Sequence, residues 1–261
     1  MFALPSLFIS HGAPTTALVD SPAHRFLLGL SQAVPQKPRA ILAVSAHWET
    51  AEPRLGAAQK PQTIHDFYGF PAPLYQLQYP APGDPALAAE IAALLQAAGF
   101  QAATDAGQGL DHGAWTPLLL GFPAADIPVL QLSVQSARDP AHHYALGQAL
   151  RPLRQQGVLV MASGSLTHNL RELDRRGAAA PVQPWASGFA DWVYEALTQR
   201  RDQDMLDYRR LAPEAQRNHP TDEHFLPLFV ALGAASPDQP AERLHSSMEF
   251  GALSMDSYRF A

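Results

Sequence analysis

Two hydrophobic patterns alternate along the 261 residues of the chain. Mainly apolar runs, typical of strands buried on both faces of a sheet, occupy residues 6–9, 40–46, 127–132 and 157–162. Between them apolar residues recur at helical spacing, and three such segments begin with a capping residue followed by proline, at Ser21, Asp84 and Asp139. This alternation predicts a three-layer α/β/α domain with a mainly parallel or mixed central sheet.

The same patterns predict the other elements. Helices are expected at 22–33, 84–98, 114–121, from 139 onwards, at 185–197 and at 218–233, and short strands near 101–104, 243–249 and 253–259. In the last helix the acids before His224 would lie in the first turn, and Pro227 would kink the helix beside Glu223 and His224. No low-complexity or charged linker interrupts the chain, which predicts a single domain over residues 1–261.

Composition and charge narrow the possible partners. The chain is 47% hydrophobic and 16% charged, with a net charge of −6, so it has no general attraction for nucleic acid or an anionic membrane. A small-molecule partner is therefore expected, and the lack of a basic leader predicts a cytoplasmic protein. There are no cysteines, which excludes disulfides, thiolate zinc sites and cysteine nucleophiles. Any metal must be held by nitrogen and oxygen.

Three histidines follow predicted strands. His11 and His47 come directly at strand ends, and His168 lies shortly after a third strand and a Ser163-Gly164-Ser165 segment that we expect to be a flexible turn. Because ligands collect at the carboxyl ends of parallel strands, these histidines are expected to line one metal-centred site. Taken singly, His11 or His47 would more often be a hydrogen-bonded structural histidine. The coincidence of three strand-end histidines favours a metal.

The spacing of residues alone does not identify the third metal ligand. Glu223 and His224 are adjacent on a predicted helix, so their side chains diverge by about 100° and only one can enter the coordination sphere. Glu223 would complete the two-histidine, one-carboxylate triad of non-haem ferrous oxygenases, whereas His224 would make a three-histidine site of the kind that catalytic zinc also uses.

Other histidines suggest further roles. His168, beyond the ligand positions, suits a general acid/base. His112 is a second candidate proton carrier or substrate contact, which Asp111 could orient. His65 lies in a long aromatic and proline-rich connection over residues 51–82, typical of either a binding loop or a rigid surface crossover, and could contact a planar substrate. Four histidines are expected to be solvated: His24, His142, His143 and His245.

Six short motifs occur in a recognisable order. They comprise residues 10–14 (SHGAP), 45–48 (SAHW), 63–67 (TIHDF), 110–113 (LDHG), 165–170 (SLTHNL) and 219–224 (HPTDEH). Together they resemble the DOPA-dioxygenase-like branch of the class III extradiol aromatic ring-opening dioxygenases. The resemblance extends from the first strand to Met255. Each motif is short, but the ordered combination is specific.

The resemblance implies an α/β/α catalytic domain spanning the chain, with His11, His47 and His224 as metal ligands and His168 as the acid/base residue. His112 and His65 would lie in the substrate pocket. Protocatechuate-cleaving relatives use a glutamate as third ligand, but this branch places a histidine there, so His224 is predicted and Glu223 is the alternative.

The activity that the resemblance implies is extradiol cleavage of a catechol, such as a DOPA-like compound, by dioxygen, giving a muconic semialdehyde. Fe(II) is expected for turnover, and Zn(II) is the other candidate for the bound metal. The competing hypothesis is a zinc-dependent hydrolase that uses metal-bound water.

Overall fold

The structure, a computed structural model, describes residues 3–237 and 239–261. Strands in these ranges are β1 (Ser6–Ser10), β2 (Ala40–Glu49), β3 (Arg54–Gly56), β4 (Ala103–Asp105), β5 (Val129–Val134), β6 (Val158–Gly164), β7 (Glu242–His245), β8 (Met248–Glu249), β9 (Leu253–Ser254) and β10 (Ser257–Phe260). Eight of them form one sheet in the order β4-β3-β5-β2-β6-β1-β10-β7, and β8 pairs with β9.

The helices lie between and around these strands. They are α1 (Pro22–Leu28), α2 (Pro85–Ala97), α3 (His112–Gly121), α4 (Pro140–Leu150), α5 (Pro152–Gln155), α6 (Pro184–Thr198), α7 (Asp202–Leu206), α8 (Tyr208–Leu211), α9 (Ala215–Asn218) and α10 (Leu226–Ala234). Across the two described ranges, no helix has the length and apolar character needed to cross a membrane.

The centre of the sheet is parallel and fully buried. β6 pairs in parallel with both β1 and β2, and β2 pairs in parallel with β5. The outer pairs β1–β10, β10–β7 and β3–β5 are antiparallel. Ile9 of β1 and Ser45 of β2 both align with Ser163 of β6, so the carboxyl ends of these three strands lie at the same level.

Alternate residues of the central strands face opposite layers. Phe8, Leu42 and Val160 belong to the core that also contains apolar residues of α2, α4, α6 and α10, whereas Leu7, Ile41 and Leu159 belong to the core beneath α1 and α3. Such alternation follows from the two-residue period of a strand. The predicted three-layer α/β/α fold with a mixed sheet is therefore confirmed.

The predicted helix starts are present at α1, α2 and α4. Their capping oxygens accept hydrogen bonds from backbone amides, as in Asp84 Oδ1 with the amide of Leu87 at 2.9 Å and Asp139 Oδ1 with that of His142 at 2.8 Å. In each case a proline follows the cap, because the first helical position needs no amide donor.

Several predicted boundaries were wrong. The helix expected at 22–33 ends at Leu28 and is followed by a 3₁₀ turn at Leu30–Ala33. The two closing strands expected at 243–249 and 253–259 are each divided into a pair of shorter strands. The residues expected to form a flexible turn before His168 are partly strand, because β6 continues through Ser163 to Gly164.

The last long helix begins much later than predicted. Residues 218–225 are not its first turns: α9 ends at Asn218, and Glu223 and His224 lie in a turn before α10. Pro227 occupies the first turn of α10, where its missing amide removes no helical hydrogen bond, so it causes no kink. The prediction failed because both acidic residues and proline are typical of the first turn of a helix. The sequence assigns the acids to the first turn, but the first turn of the helix is the one that contains the proline.

Candidate active site

Two of the strand-end histidines meet at the carboxyl edge of the sheet. His11 follows β1 directly, and Gly12 adopts a φ of +68°, which lets the chain turn away at once. His47 lies near the end of β2, where pairing with β5 shifts register between Val44 and Glu49. Such irregularities redirect side chains. The Nε2 atoms of His11 and His47 are 3.1 Å apart.

His224 reaches the same point from the turn before α10. Its Nε2 lies 3.2 Å from Nε2 of His47, and its backbone carbonyl accepts a 2.9 Å hydrogen bond from the amide of Ser165. A side chain at Gly164 would collide with that carbonyl oxygen. The end of β6 therefore needs glycine so that the turn carrying His224 can pack against it.

The outer ring nitrogens of these three histidines each face an acceptor. Ser163 Oγ donates to the carbonyl of Gly113 at 2.5 Å, so it accepts from Nδ1 of His11 at 2.9 Å. Nδ1 of His224 lies 2.9 Å from a carboxylate oxygen of Glu223. Nδ1 of His47 lies 3.4 Å from the carboxylate of Asp66. The hydrogen bonds of His11 and His224 assign the ring proton to Nδ1, and the nearby carboxylate favours the same tautomer in His47. Each Nε2 then has a lone pair.

The converging lone pairs fit a divalent cation. The ligand atoms of His11, His47 and His224 lie within 4.8 Å of one another. Burial, followed by the neighbouring histidines, holds the pKa of His11 and His224 well below the usual value, and burial lowers that of His47 to about 3. Three neutral imidazoles that point lone pairs at one spot repel each other unless a cation lies between them. Three nitrogens also leave coordination positions open, as a catalytic metal requires.

Glu223 is placed differently from a ligand of this group. Its carboxylate accepts from Nδ1 of His224 and, at 3.1 Å, from the hydroxyl of Thr221. A carboxylate that binds the outer nitrogen of a ligand histidine fixes the ring and its tautomer. The geometry therefore favours His224 over Glu223 as the third ligand.

His168 lies beside the three histidines without joining them. Its ring stacks on that of His224, with centroids 3.4 Å apart and an angle of 12° between the planes. Its backbone amide donates to the carbonyl of Asn218 at 2.9 Å, which fixes the loop after β6. Burial lowers the pKa of His168 to about 4, so its ring is neutral near pH 7 and able to accept a proton.

His112 is held by an aspartate, but not by the expected one. Its ring centroid lies 4.0 Å from that of His47. Asp66 accepts from both the backbone amide and Nδ1 of His112, each at 2.9 Å. Asp111 instead caps α3, accepts from Ser45 Oγ at 2.6 Å and from the side chain of Gln131, and has its pKa raised to about 6 by burial. The predicted role of Asp111 was wrong because its side chain points back into the sheet.

Asp66 is the functional candidate that sequence reasoning missed. It touches His112 and lies near His47, so one carboxylate orients two rings of the site. Burial alone would raise its pKa, but the hydrogen bonds from His112 hold the pKa below its usual value. The available signal was its position beside His65 in the TIHDF motif.

A cavity of about 590 Å³ opens above these histidines. Its walls include His11, His47, His112, His168 and His224 together with a set of large apolar side chains: Phe67, Phe70, Leu170, Leu173, Phe250 and Leu253. His65 is not among the lining residues. Its Nε2 lies 3.0 Å from the carbonyl of Leu77, and its ring packs edge-on against Phe67 with centroids 5.8 Å apart.

The four histidines expected to be solvated are more enclosed than predicted. His143 is fully buried, because its face of α4 packs inward. His245 stacks on Phe26 with centroids 4.8 Å apart, His24 Nδ1 bonds the carbonyl of Thr16 at 2.8 Å, and His142 is half-buried against Phe100. None of the four lines the cavity.

Fold and site together define a class: an α/β/α protein with a three-histidine centre able to hold a metal and further histidines beside it, all facing an aromatic-lined cavity. Comparison with known proteins specifies the class further. Residues 5–261 match the family model described as the catalytic LigB subunit of aromatic ring-opening dioxygenase. The chain belongs to this family and is an extradiol aromatic ring-opening dioxygenase.

Individual relatives agree with this assignment. The chain is 48% identical to a 4,5-DOPA dioxygenase extradiol of Beta vulgaris, covering 98% of this chain and 96% of the relative. It is 39% identical to the protein of that name in Escherichia coli K12, covering 97% and 93%. The crystal structure of an uncharacterized E. coli K12 protein superposes with a TM-score of 0.84 at 35% identity, covering 99% of this chain and 100% of that one. The predicted family and enzyme class are confirmed.

Proposed function

We propose that this protein cleaves a catechol with dioxygen at a non-haem Fe(II) held by His11, His47 and His224, and that it releases a muconic semialdehyde. The observation that carries the proposal is the meeting of three Nε2 lone pairs beneath an aromatic-lined cavity. Family membership supports it, because the family implies a non-haem metal, a small aromatic substrate and dioxygen.

Three nitrogen ligands would leave further coordination positions of the metal open for substrates. When bound, a ferrous ion would supply coordination positions for the catechol oxygens and dioxygen and would exchange electrons, which zinc cannot do. The protein contributes rigid placement. Hydrogen bonds to Ser163 and Glu223 fix the rings of His11 and His224, and the carboxylate of Asp66 lies 3.4 Å from Nδ1 of His47. Such outer partners keep ligands in place without reorganisation during the reaction.

His168 is proposed as the proton carrier. Its low pKa keeps the ring neutral, so it can take a proton from a phenolic hydroxyl as the catechol enters. The same ring can return that proton during ring opening. Its stacking on His224 holds it beside the ligands, within the walls of the cavity.

His112 and the aromatic walls are proposed to position the substrate. With Nδ1 bonded to Asp66, His112 is left with Nε2 to hydrogen-bond a substrate oxygen. Phe67 and Phe70 offer ring faces and edges to a planar substrate and exclude water. A contact between His65 and the substrate stays a prediction. In this structure the ring of His65 packs against Phe67, which lines the cavity, and His65 itself does not line it.

Cleavage is proposed at the ring bond adjacent to the two hydroxyl-bearing carbons. Both oxygen atoms of dioxygen are incorporated, so catechol and dioxygen combine one to one into the ring-opened product and no external reductant is needed. Residues 1–261 are proposed to act as a single catalytic domain. The cytoplasmic location stays a prediction.

The test is oxygen uptake with catechols after anaerobic ferrous loading. We expect a yellow ring-opened product and one dioxygen consumed per catechol, and no turnover by protein loaded with zinc. Hydrolysis of an amide or ester without oxygen consumption would instead support the zinc hydrolase, which the comparisons do not favour. Absence of product across plain and substituted catechols would contradict the proposal.

A further inference from the structure

The tight turn between β8 and β9 places an aromatic residue in an unfavourable backbone conformation. The φ of Phe250 is +51° and that of Gly251 is +71°. The amide of Ala252 donates to the carbonyl of Glu249 at 3.2 Å, which closes the turn. Positive φ at both central residues is typical of hairpin turns that use Asn-Gly or Gly-Gly. A bulky residue in this left-handed region is strained, because its Cβ crowds a backbone carbonyl oxygen.

Neighbouring segments hold the turn in this conformation. The carbonyl of Phe250 accepts a hydrogen bond from the amide of Asp174 at 2.9 Å, and the carbonyl of Gly251 accepts one from the amide of Gln183 at 2.8 Å. Backbone strain persists where surrounding contacts fix the conformation in this way, and it is concentrated at functional sites. The strained position therefore points to a function for the side chain of Phe250.

The side chain of Phe250 lies between two cavities. It lines the active-site cavity of about 590 Å³ and also a second cavity of about 230 Å³. The second cavity has Val19 and Met248 in its walls. Of the lining residues that the structure describes, only Phe250 and Thr15 are common to both cavities. Phe250 has the larger of these two side chains, so its ring forms much of the wall between the cavities.

A catechol in the active-site cavity would direct its substituent towards this wall. Histidines form one part of the lining, and apolar side chains such as Phe250 and Leu253 form another. When both catechol oxygens face the histidines, a substituent at ring position 4 lies on the far side of the aromatic ring and extends away from them. This orientation follows from the proposed function.

We propose that Phe250, held in the wall by a strained turn, is a specificity-determining residue that limits the length of the substituent on the catechol. The inference rests on the proposed function and adds a size limit to its substrate. A longer side chain would meet the ring of Phe250 before it reached the second cavity. Without that ring, the second cavity would extend the first and a longer side chain would fit.

Two compounds with the same charged groups test the size limit. L-DOPA and the dipeptide L-DOPA-L-leucine each carry one ammonium and one carboxylate, and the dipeptide is longer. With iron-loaded wild-type protein we expect kcat/KM for the dipeptide to be at least tenfold lower than for L-DOPA. In Phe250→Ala the ratio of the two values should rise at least fivefold, mainly through a lower KM for the dipeptide. Phe250→Tyr, which keeps the ring, should retain the wild-type ratio.

The outcomes separate this inference from the proposed function. Equal kcat/KM for the two compounds in wild-type protein, or an unchanged ratio in Phe250→Ala, would overturn the size limit and leave ring cleavage intact. If wild-type protein cleaved neither compound, nor catechol itself, the proposed function would be overturned as well.

A second variant tests the strain. Phe250→Gly and Phe250→Ala both remove the ring, but only glycine relieves a positive φ, so the glycine variant should have a Tm about 2–4 °C higher and the same substrate ratio. The matched control is Leu18, which is 46% exposed and has a φ of −123°. There the glycine variant should melt below the alanine variant, because glycine gains more freedom on unfolding. The same order at both positions would overturn the claim that a strained turn holds the ring.

Discussion

Two groups of buried histidines use their rings in opposite ways. In His143, Nδ1 bonds the carbonyl of Asp139 at 3.0 Å and Nε2 accepts from the amide of Gln135 at 3.2 Å, so both nitrogens serve the backbone. In the other group, His11, His47 and His224, Nδ1 faces a side-chain oxygen and Nε2 lies close to the Nε2 atoms of the neighbouring rings. Only in the second group do free lone pairs converge on one point, as a metal requires.

Burial and altered pKa do not distinguish the two groups. Burial lowers the pKa of His143 to about 4 and that of His219 to about 3, much as it lowers that of His47 to about 3. His219 donates from Nε2 to the carbonyl of Leu166 at 2.8 Å and stacks on Phe225. A perturbed histidine is thus a functional candidate only when its free nitrogen points at other ligands.

The largest effect should come from removing a proposed ligand. In His11→Ala or His47→Ala we expect metal content to fall from about one equivalent to below about a tenth, and catechol turnover to fall at least about 10³-fold, because two nitrogens hold the ion poorly. Elemental analysis and oxygen uptake measure this. The matched variant His143→Gln should keep its metal. Full metal content in both alanine variants would contradict the assignment of His11 and His47 as metal ligands.

Removing the neighbouring proton carrier should separate binding from chemistry. His168→Ala is expected to retain metal and lose about 10²- to 10⁴-fold in kcat, the range of general acid/base catalysis. Metal content and kcat measured on the same sample check this. If His168→Ala lost its metal too, His168 would belong with the ligands. Unchanged kcat would leave it only a structural role.

A smaller effect is expected from replacing Asp66, whose carboxylate faces the rings of His112 and His47. Asp66→Asn keeps the size of the side chain but weakens its hold on Nδ1 of His112 and His47, so kcat/KM should fall about 10- to 100-fold with partial loss of metal affinity. Asp126→Asn, in an exposed pair with Lys37, is the matched control. Equal activity of the two variants would show that Asp66 does not orient the site.

The sequence predicted the parts of this site that depend on local pattern. His11 and His47 could be placed because apolar runs define the central strands, and strand ends meet at one edge. The approach of His224 was harder, since it depends on a turn whose position was obscured by a proline that fits either a helix start or a kink. Asp66 lies 46 residues before His112 in a loop without periodicity, so only the folded chain pairs them. The inward face of α4 that buries His143 was also hidden, because its hydrophobic pattern is weak.

The structural histidine should affect stability rather than activity. Because burial lowers the pKa of His143 to about 4, the unfolded chain binds a proton between about pH 6.5 and 4 that the folded chain does not. Its contribution is therefore present above pH 6.5 and is lost as pH falls towards 4, amounting to roughly 2 kcal/mol between pH 7 and pH 5. In His143→Gln, the decrease in the free energy of unfolding over that interval should be smaller by about this amount. Urea unfolding of metal-free wild-type and variant protein at the two pH values measures it, and an equal decrease in both would mean that His143 is protonated in the fold.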